Sequence, residues 1–317
     1  IRQAADAALA SGAEALVPID SPDFCLRVAA LVKAAKPEFR TIHYVAPSVW
    51  AWRPGRAAKM ARVVDHVLAL LPFEPPYMTA AGMTCDFVGH PVVAEPLASR
   101  EETAPFRGDG PLLLALPGSR RSEVTRLAPV FGKVIERLKT NHPDLRVALP
   151  TVRGVADLVR DLTAGWAVQP EIIMDSGRKR GAFAGADVAL AASGTVSLEL
   201  AANGCPMVIA YDMHWLSWWL LQRAALIDTV TLVNLVSETR VVPEFLGPAC
   251  MPDAIAASVE AVLGDPSAHT AAVGLTMGRL GKGGEAPGLR AALSVLAALR
   301  RSRLPGPGGQ VRPSSDR

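Results

Sequence analysis

The sequence predicts an α/β fold in which two domains each contain a parallel β-sheet covered by helices. Three observations predict it. Short apolar runs alternate with helix-like segments along most of the chain. The chain has 317 residues, about twice the ~150 residues of an average domain. Residues 91–111 are rich in Pro, Gly and charge and lack periodicity, which is typical of a segment between domains.

The elements follow in order along the chain. We expect a first domain over residues 1–95, a linker over 96–111, a second domain over 112–303 and a disordered tail over 304–317. The predicted strands are Ala15–Asp20, Thr41–Val45, Val67–Leu71, Leu112–Leu116, Val147–Leu149, Ile172–Met174, Val188–Ala191 and Met207–Ala210. Ligands of open parallel sheets bind beyond the carboxyl ends of the strands, so the loops after these strands are the ones to examine.

Composition excludes several functional classes. Half of the residues are apolar, which predicts a globular chain with a large core. A net charge of +3 without a long basic run argues against a nucleic-acid partner. The four cysteines have neither metal-ligand nor disulfide-framework spacing, which indicates reduced thiols in the cytoplasm. No apolar run reaches the ~18 residues that a membrane span needs, and the first residues do not resemble a signal peptide.

The first unusual loop is "PIDSPDF". Asp20 ends a predicted strand, Ser21 is placed to cap the following helix, and Pro22 suits its first position. The helix is predicted to end before Pro37. Asp20 therefore lies at a strand end beside a helix N-terminus. A catalytic carboxylate and a carboxylate that merely favours the helix dipole are both compatible with this position.

The second loop is "HYVAPSVWAWRPGRAAKMAR", in which two tryptophans precede a row of cations. Arg56, Lys59 and Arg62 are three residues apart, so we expect them on one helix face. A packed loop with a solvated helix is one interpretation. The other is a contact with an anionic substrate that has an apolar part, or with a membrane. The candidate contact residues are Trp50, Trp52, Arg53, Arg56, Lys59 and Arg62.

The third loop is "LLLALPGSRRSE", where a fully apolar strand ends in a tight turn and a helix begins near Ser122. Backbone N–H groups at such a turn suit a phosphate, and Arg120 adds a fixed positive charge beside Ser119. The Lys–Ser/Thr pair of an NTPase loop is absent from the sequence. A phosphate site and a plain turn both remain possible here.

The fourth loop lies in "ADVALAASGTVSLELAANGCPMVIAY". It contains the turn Ser193-Gly194-Thr195 between a strand and a helix, and Gly194 permits close approach of a ligand to the backbone. Thr195 and Glu199 are one helical turn apart. A hydroxyl at the turn and a carboxylate one turn along suit the phosphate and ribose of a nucleotide diphosphate. The alternative is a capped helix with an exposed glutamate.

A further segment, "MHWLSWWLLQRAAL", is a second candidate membrane contact, because its tryptophans give it interfacial character. A buried interdomain or dimer helix is the alternative. The histidines have no zinc-like spacing, and no Asp-x-Asp pair is placed to hold a divalent ion on a diphosphate. We therefore expect no cofactor and no metal.

Taken in order, these loops resemble the lipid-A-disaccharide synthases, which are inverting glycosyltransferases. The resemblance is carried by "IDSPDF", "TIHYVAPSVWAWRPGR", "LALLPFE", "FVGHPVV", "LALPGSRRSEV", "LAASGTVSLELAANGCPMVIAY" and "NLVSETRVVPEFL", and covers roughly residues 15–250. The "HYVAPSVWAWR" string is specific, whereas the Ser-Gly-Thr…Glu unit is shared with many nucleotide-sugar enzymes. The resemblance implies two Rossmann-like domains of the GT-B type, with parallel sheets and an interdomain cleft.

The resemblance also implies a reaction. A UDP-diacylglucosamine donor and an acylated glucosamine 1-phosphate acceptor would give a β-1,6-linked disaccharide and UDP, at the cytoplasmic face of the inner membrane and with a possible homodimer. Asp20 matches the family's essential aspartate, a candidate general base, and Arg120 matches its essential arginine. The residues that match the UDP-holding positions or the adjacent Asn-Leu motif are Ser119, Ser193, Gly194, Thr195, Glu199 and Asn234.

The chain also departs from the family. It begins with Ile1 and lacks the family's first strand and Gly-Glu-x-Ser-Gly-Asp loop, so we expect an N-terminally incomplete first domain. Pro18 and Val233 replace residues more usual in the family. Two other hypotheses remain: another UDP-sugar transferase or epimerase of the same fold, and a non-catalytic module that binds UDP-sugar or a lipid precursor.

Overall fold

A computed structural model describes residues 1–192, 194, 196–213 and 215–303. The predicted fold class is confirmed, because two parallel sheets with covering helices form two compact units. The first unit comprises residues 1–91 and the described part of 284–317, and the second comprises residues 92–283. The predicted tail over 304–317 lies outside the described residues.

The first unit contains a four-stranded parallel sheet in the order β1-β2-β3-β4. Its strands are β1 Ala15–Leu16, β2 Arg40–Tyr44, β3 His66–Ala69 and β4 Thr84–Phe87. Its helices are α1 Arg2–Ala10, α2 Pro22–Ala35, α3 Gly55–Met60, α4 Pro75–Ala80 and, at the other end of the described chain, Pro287–Arg303. The first strand is shorter than predicted, because after Leu16 only Ile19 forms a further bridge, to Tyr44. Proline at position 18 cannot donate a ladder hydrogen bond.

The second unit contains a six-stranded parallel sheet in the order β10-β9-β8-β5-β6-β7. Its strands are β5 Leu112–Leu116, β6 Arg146–Pro150, β7 Glu171–Ile173, β8 Val188–Ala191, β9 Met207–Tyr211 and β10 Glu244–Leu246. Its helices are α5 Arg100–Thr103, α6 Arg121–Asn141, α7 Ala156–Thr163, α8 Ser176–Gly185, α9 Val196–Ala202, α10 Trp215–Ala224, α11 Leu232–Ser237, α12 Pro252–Gly264 and α13 Ser267–Arg279. After β5, the strands β6 and β7 are added on one side of β5, and the next strand, β8, pairs with the other side of β5. The strand order therefore reverses between β5 and β8.

The central strands of the second sheet are buried on both faces, which explains their continuous apolar sequences. Helix α6 covers one face with residues at helical spacing that include Val124, Leu127, Phe131 and Leu138, all fully buried. This packing fixes where α6 begins relative to the end of β5. The connecting turn is consequently held at the carboxyl edge of the sheet.

The last helix, α14 Pro287–Arg303, corrects the predicted second-domain range of 112–303, because it packs on the first unit. Ala298 lies in a cluster with Ile42 and Leu68 of the first sheet. Ser294 Oγ donates to Asp86 Oδ2 at 2.6 Å and lies 2.8 Å from His66 Nε2. Periodicity predicts that a helix exists, but not which of two sheets it covers.

The predicted linker over 96–111 also differs from the structure. Residues 92–111 belong to the second unit and include α5, whose N-cap Ser99 forms a capping box with Glu102. Arg180 of α8 pairs with Glu102, and Gly181 lies directly beneath the Glu102 carbonyl group. The segment is therefore anchored to α8. Its Pro and Gly content reflects close packing and tight turns.

Candidate active site

A cavity of about 510 Å³ opens at the carboxyl edge of the second sheet, where the strand order reverses between β5 and β8. Open α/β sheets bind ligands at this topological switch point. The loops after β5, β6 and β8 and the helices α6, α8 and α9 line the cavity; the residues include Gly118, Ser119, Arg120, Glu123, Thr151, Val152, Lys179, Phe183, Gly194 and Glu199. The structure thus brings together the third and fourth loops singled out in the sequence.

The loop after β5 wraps around a carboxylate that sequence reasoning missed. Glu123 Oε2 accepts hydrogen bonds from the backbone N–H groups of Ser119 and Arg120, each at 3.2 Å, and Glu123 Oε1 accepts one from the Arg120 guanidinium at 2.6 Å. Gly118 has a φ of 111°, and a Cβ atom there would lie 2.5 Å from Glu123 Oε2. Two N–H groups predicted to meet phosphate are therefore already used within the loop. Arg120 itself remains largely exposed.

The other side of the cavity carries a second charge pair. Lys179 Nζ of α8 lies 2.5 Å from Glu199 Oε2 of α9 and 5.2 Å from the centroid of the Phe183 ring. Gly194 has a φ of 140°, which favours glycine, and a Cβ atom there would meet nothing within 4 Å. Ser193 and Thr195 lie outside the described residues. Lys179 and Phe183 were missed, because nothing near β8 in the sequence signals a contribution from α8.

The structure gives Asn234 a role in holding a loop. Its side-chain amide nitrogen donates to Thr229 Oγ1 at 3.2 Å and to the Val242 carbonyl oxygen at 2.9 Å. Its oxygen accepts from the Val242 N–H at 3.0 Å. Asn234 is buried and is not among the residues that line the cavity. Its predicted contact with substrate stays a prediction.

In the first unit, Asp20 lies where the chain leaves the sheet and enters α2. Its backbone N–H donates to the Tyr44 carbonyl oxygen at 3.0 Å, and its side chain is exposed. Asp20 and Ser21 have φ values of 50° and 42°, so two consecutive non-glycine residues adopt the left-handed conformation. Ser21 stands at the N-cap position but makes no capping side-chain bond. The strained turn sets the exposed carboxylate beside the start of α2.

His43 of β2 is buried and close enough to Asp20 for the two groups to interact electrostatically. Its Nδ1 is 3.0 Å from the Val45 carbonyl oxygen, which requires the tautomer with a proton on Nδ1. Its Nε2 is buried and has no hydrogen-bond partner among the described residues. Burial lowers the pKa of His43, and the carbonyl group of Val45 and the charge of Asp20 oppose that shift. The pKa of His43 therefore lies below its ordinary value, and Asp20 is close enough to act on the imidazole.

The tryptophan-rich loop combines a packed part and an exposed part. Trp50 donates its indole N–H to Glu74 Oε1 at 3.2 Å and packs edge-on against Phe73. The guanidinium groups of Arg53 and Arg56 lie 4.1 and 6.0 Å from the centroid of the Trp52 ring. Trp50 therefore has the packing contacts that the first interpretation predicted. The Trp52 ring, in contrast, contacts the guanidinium groups of Arg53 and Arg56.

The predicted helical row of cations is shorter in the structure. Helix α3 ends at Met60, so Arg62 follows the helix instead of extending its face. Arg56 pairs with Asp23 of α2 at 3.1 Å, whereas Lys59 and Arg62 are exposed. The Arg56–Asp23 pair therefore links α3 to α2, the helix that begins beside Asp20. The predicted contact of these residues with an acceptor or membrane stays a prediction.

Within the described residues, no group of three or more His, Cys, Asp and Glu side chains is placed to hold a metal ion. None of the helices in that part of the chain combines the length and hydrophobicity of a membrane span. In the second candidate membrane segment, Trp215–Ala224 form α10, where Trp218 packs against Gly247 and the exposed Trp219 lies against Arg223.

Two parallel α/β units, one of which has a charged cavity at its topological switch point, define a ligand-binding α/β class of protein. Comparisons with known proteins specify the family. The Lipid-A-disaccharide synthetase family model matches residues 2–275. The chain is 60% identical to the lipid-A-disaccharide synthase of Ruegeria pomeroyi, with 96% of this chain and 78% of that protein covered. It is 46% identical to the one of Rhodospirillum centenum, with 94% and 77% covered.

The chain belongs to the lipid-A-disaccharide synthase family and is a glycosyltransferase of the hexosyltransferase type. Solved structures support the fold. UDP-GlcNAc 2-epimerase from Neisseria meningitidis matches with a TM-score of 0.62 and 13% identity, over 94% of this chain and 80% of that one. Acinetobacter baumannii MurG matches with a TM-score of 0.55 and 14% identity, over 95% and 77%. The resemblance and the GT-B class expected from the sequence are confirmed.

Proposed function

We propose that this chain condenses UDP-2,3-diacylglucosamine with 2,3-diacylglucosamine 1-phosphate to give the β-1,6-linked disaccharide precursor of lipid A and UDP. Family membership supports the reaction type. The single structural observation that carries the donor assignment is the switch-point cavity lined by Arg120, Gly194 and Glu199. Its volume of about 510 Å³ is in the range of small-ligand sites.

The donor's UDP portion is assigned to this cavity. The Glu199 carboxylate accepts hydrogen bonds from the ribose hydroxyls, and Gly194 lets the diphosphate approach the N-terminal end of α9. Arg120 donates to the diphosphate and stabilises the negative charge that develops as UDP leaves. Removing a donor of this kind costs an enzyme roughly 10²–10³-fold in kcat.

The acceptor chemistry is assigned to Asp20 of the first unit. The acceptor hydroxyl must lose a proton as its oxygen attacks the anomeric carbon, and an exposed carboxylate at a strand end can accept that proton. Attack from the face opposite to UDP inverts the anomeric configuration and gives the β-linkage. The cations near Trp52 would face the acceptor's phosphate or an anionic membrane, which fits peripheral association with the cytoplasmic face of the inner membrane.

The test supplies both acylated substrates and measures disaccharide and free UDP. Asp20→Asn should lower turnover by about 10²-fold or more and leave UDP affinity within about twofold, because the base acts only on the acceptor. Arg120→Ala should lower both turnover and UDP affinity. Normal turnover by the Asp20→Asn protein would reject Asp20 as the base.

An epimerase is the second candidate, since UDP-GlcNAc 2-epimerases share the fold. It would convert a UDP-sugar without any acceptor, so incubation with the donor alone separates the two activities. A non-catalytic module would bind UDP and form no product with either substrate set.

A further inference from the structure

The turn of residues 118–120 is held in place from inside by one side chain. The Glu123 carboxylate accepts three hydrogen bonds: from the backbone N–H groups of Ser119 and Arg120 at 3.2 Å each, and from the Arg120 guanidinium at 2.6 Å. The Glu123 side chain is only 12% exposed, whereas the Arg120 side chain is 78% exposed. The carboxylate therefore lies inside the turn, and the guanidinium that donates to it reaches solvent.

Gly118 gives independent support for a turn built around this carboxylate. A Cβ atom at Gly118 would lie 2.5 Å from Glu123 Oε2 and 2.7 Å from Glu123 Cβ, so the backbone closes directly on the glutamate. The φ of 111° at Gly118 is also one that side chains rarely adopt. A turn shaped only by its own sequence would not need this close approach.

We infer that Glu123 is a positioning residue of the donor site: it shapes the turn of residues 118–120 and aims the Arg120 guanidinium into the cavity for a nucleoside diphosphate. This rests on the proposed function. An arginine has five N–H donors. Bonding through Nη1 to Glu123 leaves the others for the phosphate oxygens, while the side chain loses rotational freedom before the ligand arrives.

The geometry also admits the opposite effect. The carboxylate occupies N–H groups that an incoming phosphate could use, so it could compete with the diphosphate. The two effects have opposite signs. If Glu123 positions Arg120, its removal weakens UDP binding; if it competes with phosphate, its removal strengthens UDP binding.

The experiment measures the affinities of UDP and uridine by calorimetry for the full chain and for Glu123→Gln and Glu123→Ala. The glutamine retains an oxygen that can accept from Ser119 and Arg120, so we expect it to lose about threefold in UDP affinity and the alanine about tenfold. Uridine affinity should change by less than about twofold in both, since uridine has no phosphate. Glu136→Gln, on the exposed side of the same helix, is the matched control.

Equal or tighter UDP binding by Glu123→Ala would overturn the inference, as would an equal loss for UDP and uridine, which a general collapse of the site would produce. The glutamine variant must recover part of the affinity that the alanine loses; no recovery also counts against positioning. The UDP and uridine affinities of the wild-type chain distinguish a failure of this inference from a failure of the proposed function. If it does not prefer UDP to uridine, the donor assignment itself is wrong.

Discussion

At the scale of single residues, Glu74 is a buried carboxyl that holds part of the tryptophan-rich loop. It is 4% exposed and accepts from the Trp50 indole and from the backbone N–H groups of Leu70 and Leu71. Burial raises its pKa from 4.5 to about 7, although these hydrogen bonds partly oppose the shift. Because the folded state holds the proton more tightly, the stabilisation is complete below pH 4.5 and is lost as pH rises through about 7.

Glu74→Gln should therefore remove a pH dependence of stability. The shift corresponds to about 3 kcal/mol, the upper bound of what the wild-type chain loses relative to the glutamine variant between pH 4.5 and pH 8. Denaturant unfolding at several pH values measures the difference. Glu38→Gln, an exposed change in the same unit, should show no such trend. A constant difference between wild type and Glu74→Gln across this range would contradict the raised pKa.

The Lys179–Glu199 pair should contribute modestly to donor binding. The ammonium offsets the repulsion between the Glu199 carboxylate and an incoming diphosphate, but both side chains are partly exposed and water screens the pair. We expect Lys179→Met to weaken UDP binding by about two- to fivefold and to lower its salt dependence. Titration at low and high salt measures both effects. Lys139→Met, a lysine that bonds a carbonyl group elsewhere in the unit, is the control, and tighter UDP binding by Lys179→Met would refute the assignment.

The cavity residues that could be found from the sequence differ from those that were missed in where they lie relative to the strand ends. Arg120 and Glu199 could be found because each stands at a fixed offset from a strand end. Glu123 was hidden because its helix has arginine at the N-cap, whereas the recognisable pattern has Ser or Thr there. Lys179 comes from a different helix, and only the folded sheet brings it to Glu199.

At the scale of elements, the contact between α8 and the segment after Ser99 depends on Gly181. A Cβ atom there would overlap the Glu102 carbonyl oxygen and touch the Phe106 ring. The segment itself is fixed by the Arg180–Glu102 pair. We expect Gly181→Ala to lower the free energy of unfolding of this unit by about 2 kcal/mol, because overpacking forces the backbone to shift.

Gly274→Ala provides the matched control for that prediction. It lies within α13, and a Cβ atom there would meet nothing within 4 Å. Removing a helical glycine should stabilise the unit by about 0.5–1 kcal/mol. Denaturant unfolding should thus move in opposite directions for the two substitutions. Stabilisation by Gly181→Ala would show that α8 and the segment are not in close contact.

The strands with the clearest sequence signal are the fully buried ones. The central strands β5 and β8 are fully buried and read as continuous apolar runs. The two missed strands, β4 and β10, lie at sheet edges and are only partly buried. Edge strands carry polar residues and little pattern, so "TCDF" and "EFL" are not distinguishable from loops by sequence alone.

At the scale of the whole molecule, the chain's path could be predicted only in part. The alternation of strands and helices indicated two parallel sheets. The return of α14 to the first unit could not be deduced, because the contacts of Ser294 with His66 and Asp86 join residues more than 200 positions apart. Sequence periodicity has no information about pairings at that separation.

Because the acceptor and the donor are assigned to different units, we can predict which surface cations affect binding to lipid vesicles. Lys59 and Arg62 are exposed in the first unit, whereas the cavity assigned to UDP lies in the second. Each cation near an anionic membrane is worth about 1 kcal/mol. Lys59→Glu combined with Arg62→Glu should therefore lower binding of the full chain to phosphatidylglycerol vesicles by at least about tenfold and leave UDP affinity unchanged.

Co-sedimentation with phosphatidylglycerol and with phosphatidylcholine vesicles measures this effect. Lys133→Glu combined with Lys139→Glu changes the net charge by the same amount on the second unit and should retain most of the vesicle binding. The vesicle binding that remains in the Lys59→Glu, Arg62→Glu protein should depend less on salt than wild-type binding, because the charges that salt screens have been removed. Equal losses in the two pairs would mean that net charge, and not the position of Lys59 and Arg62, governs binding to the vesicles.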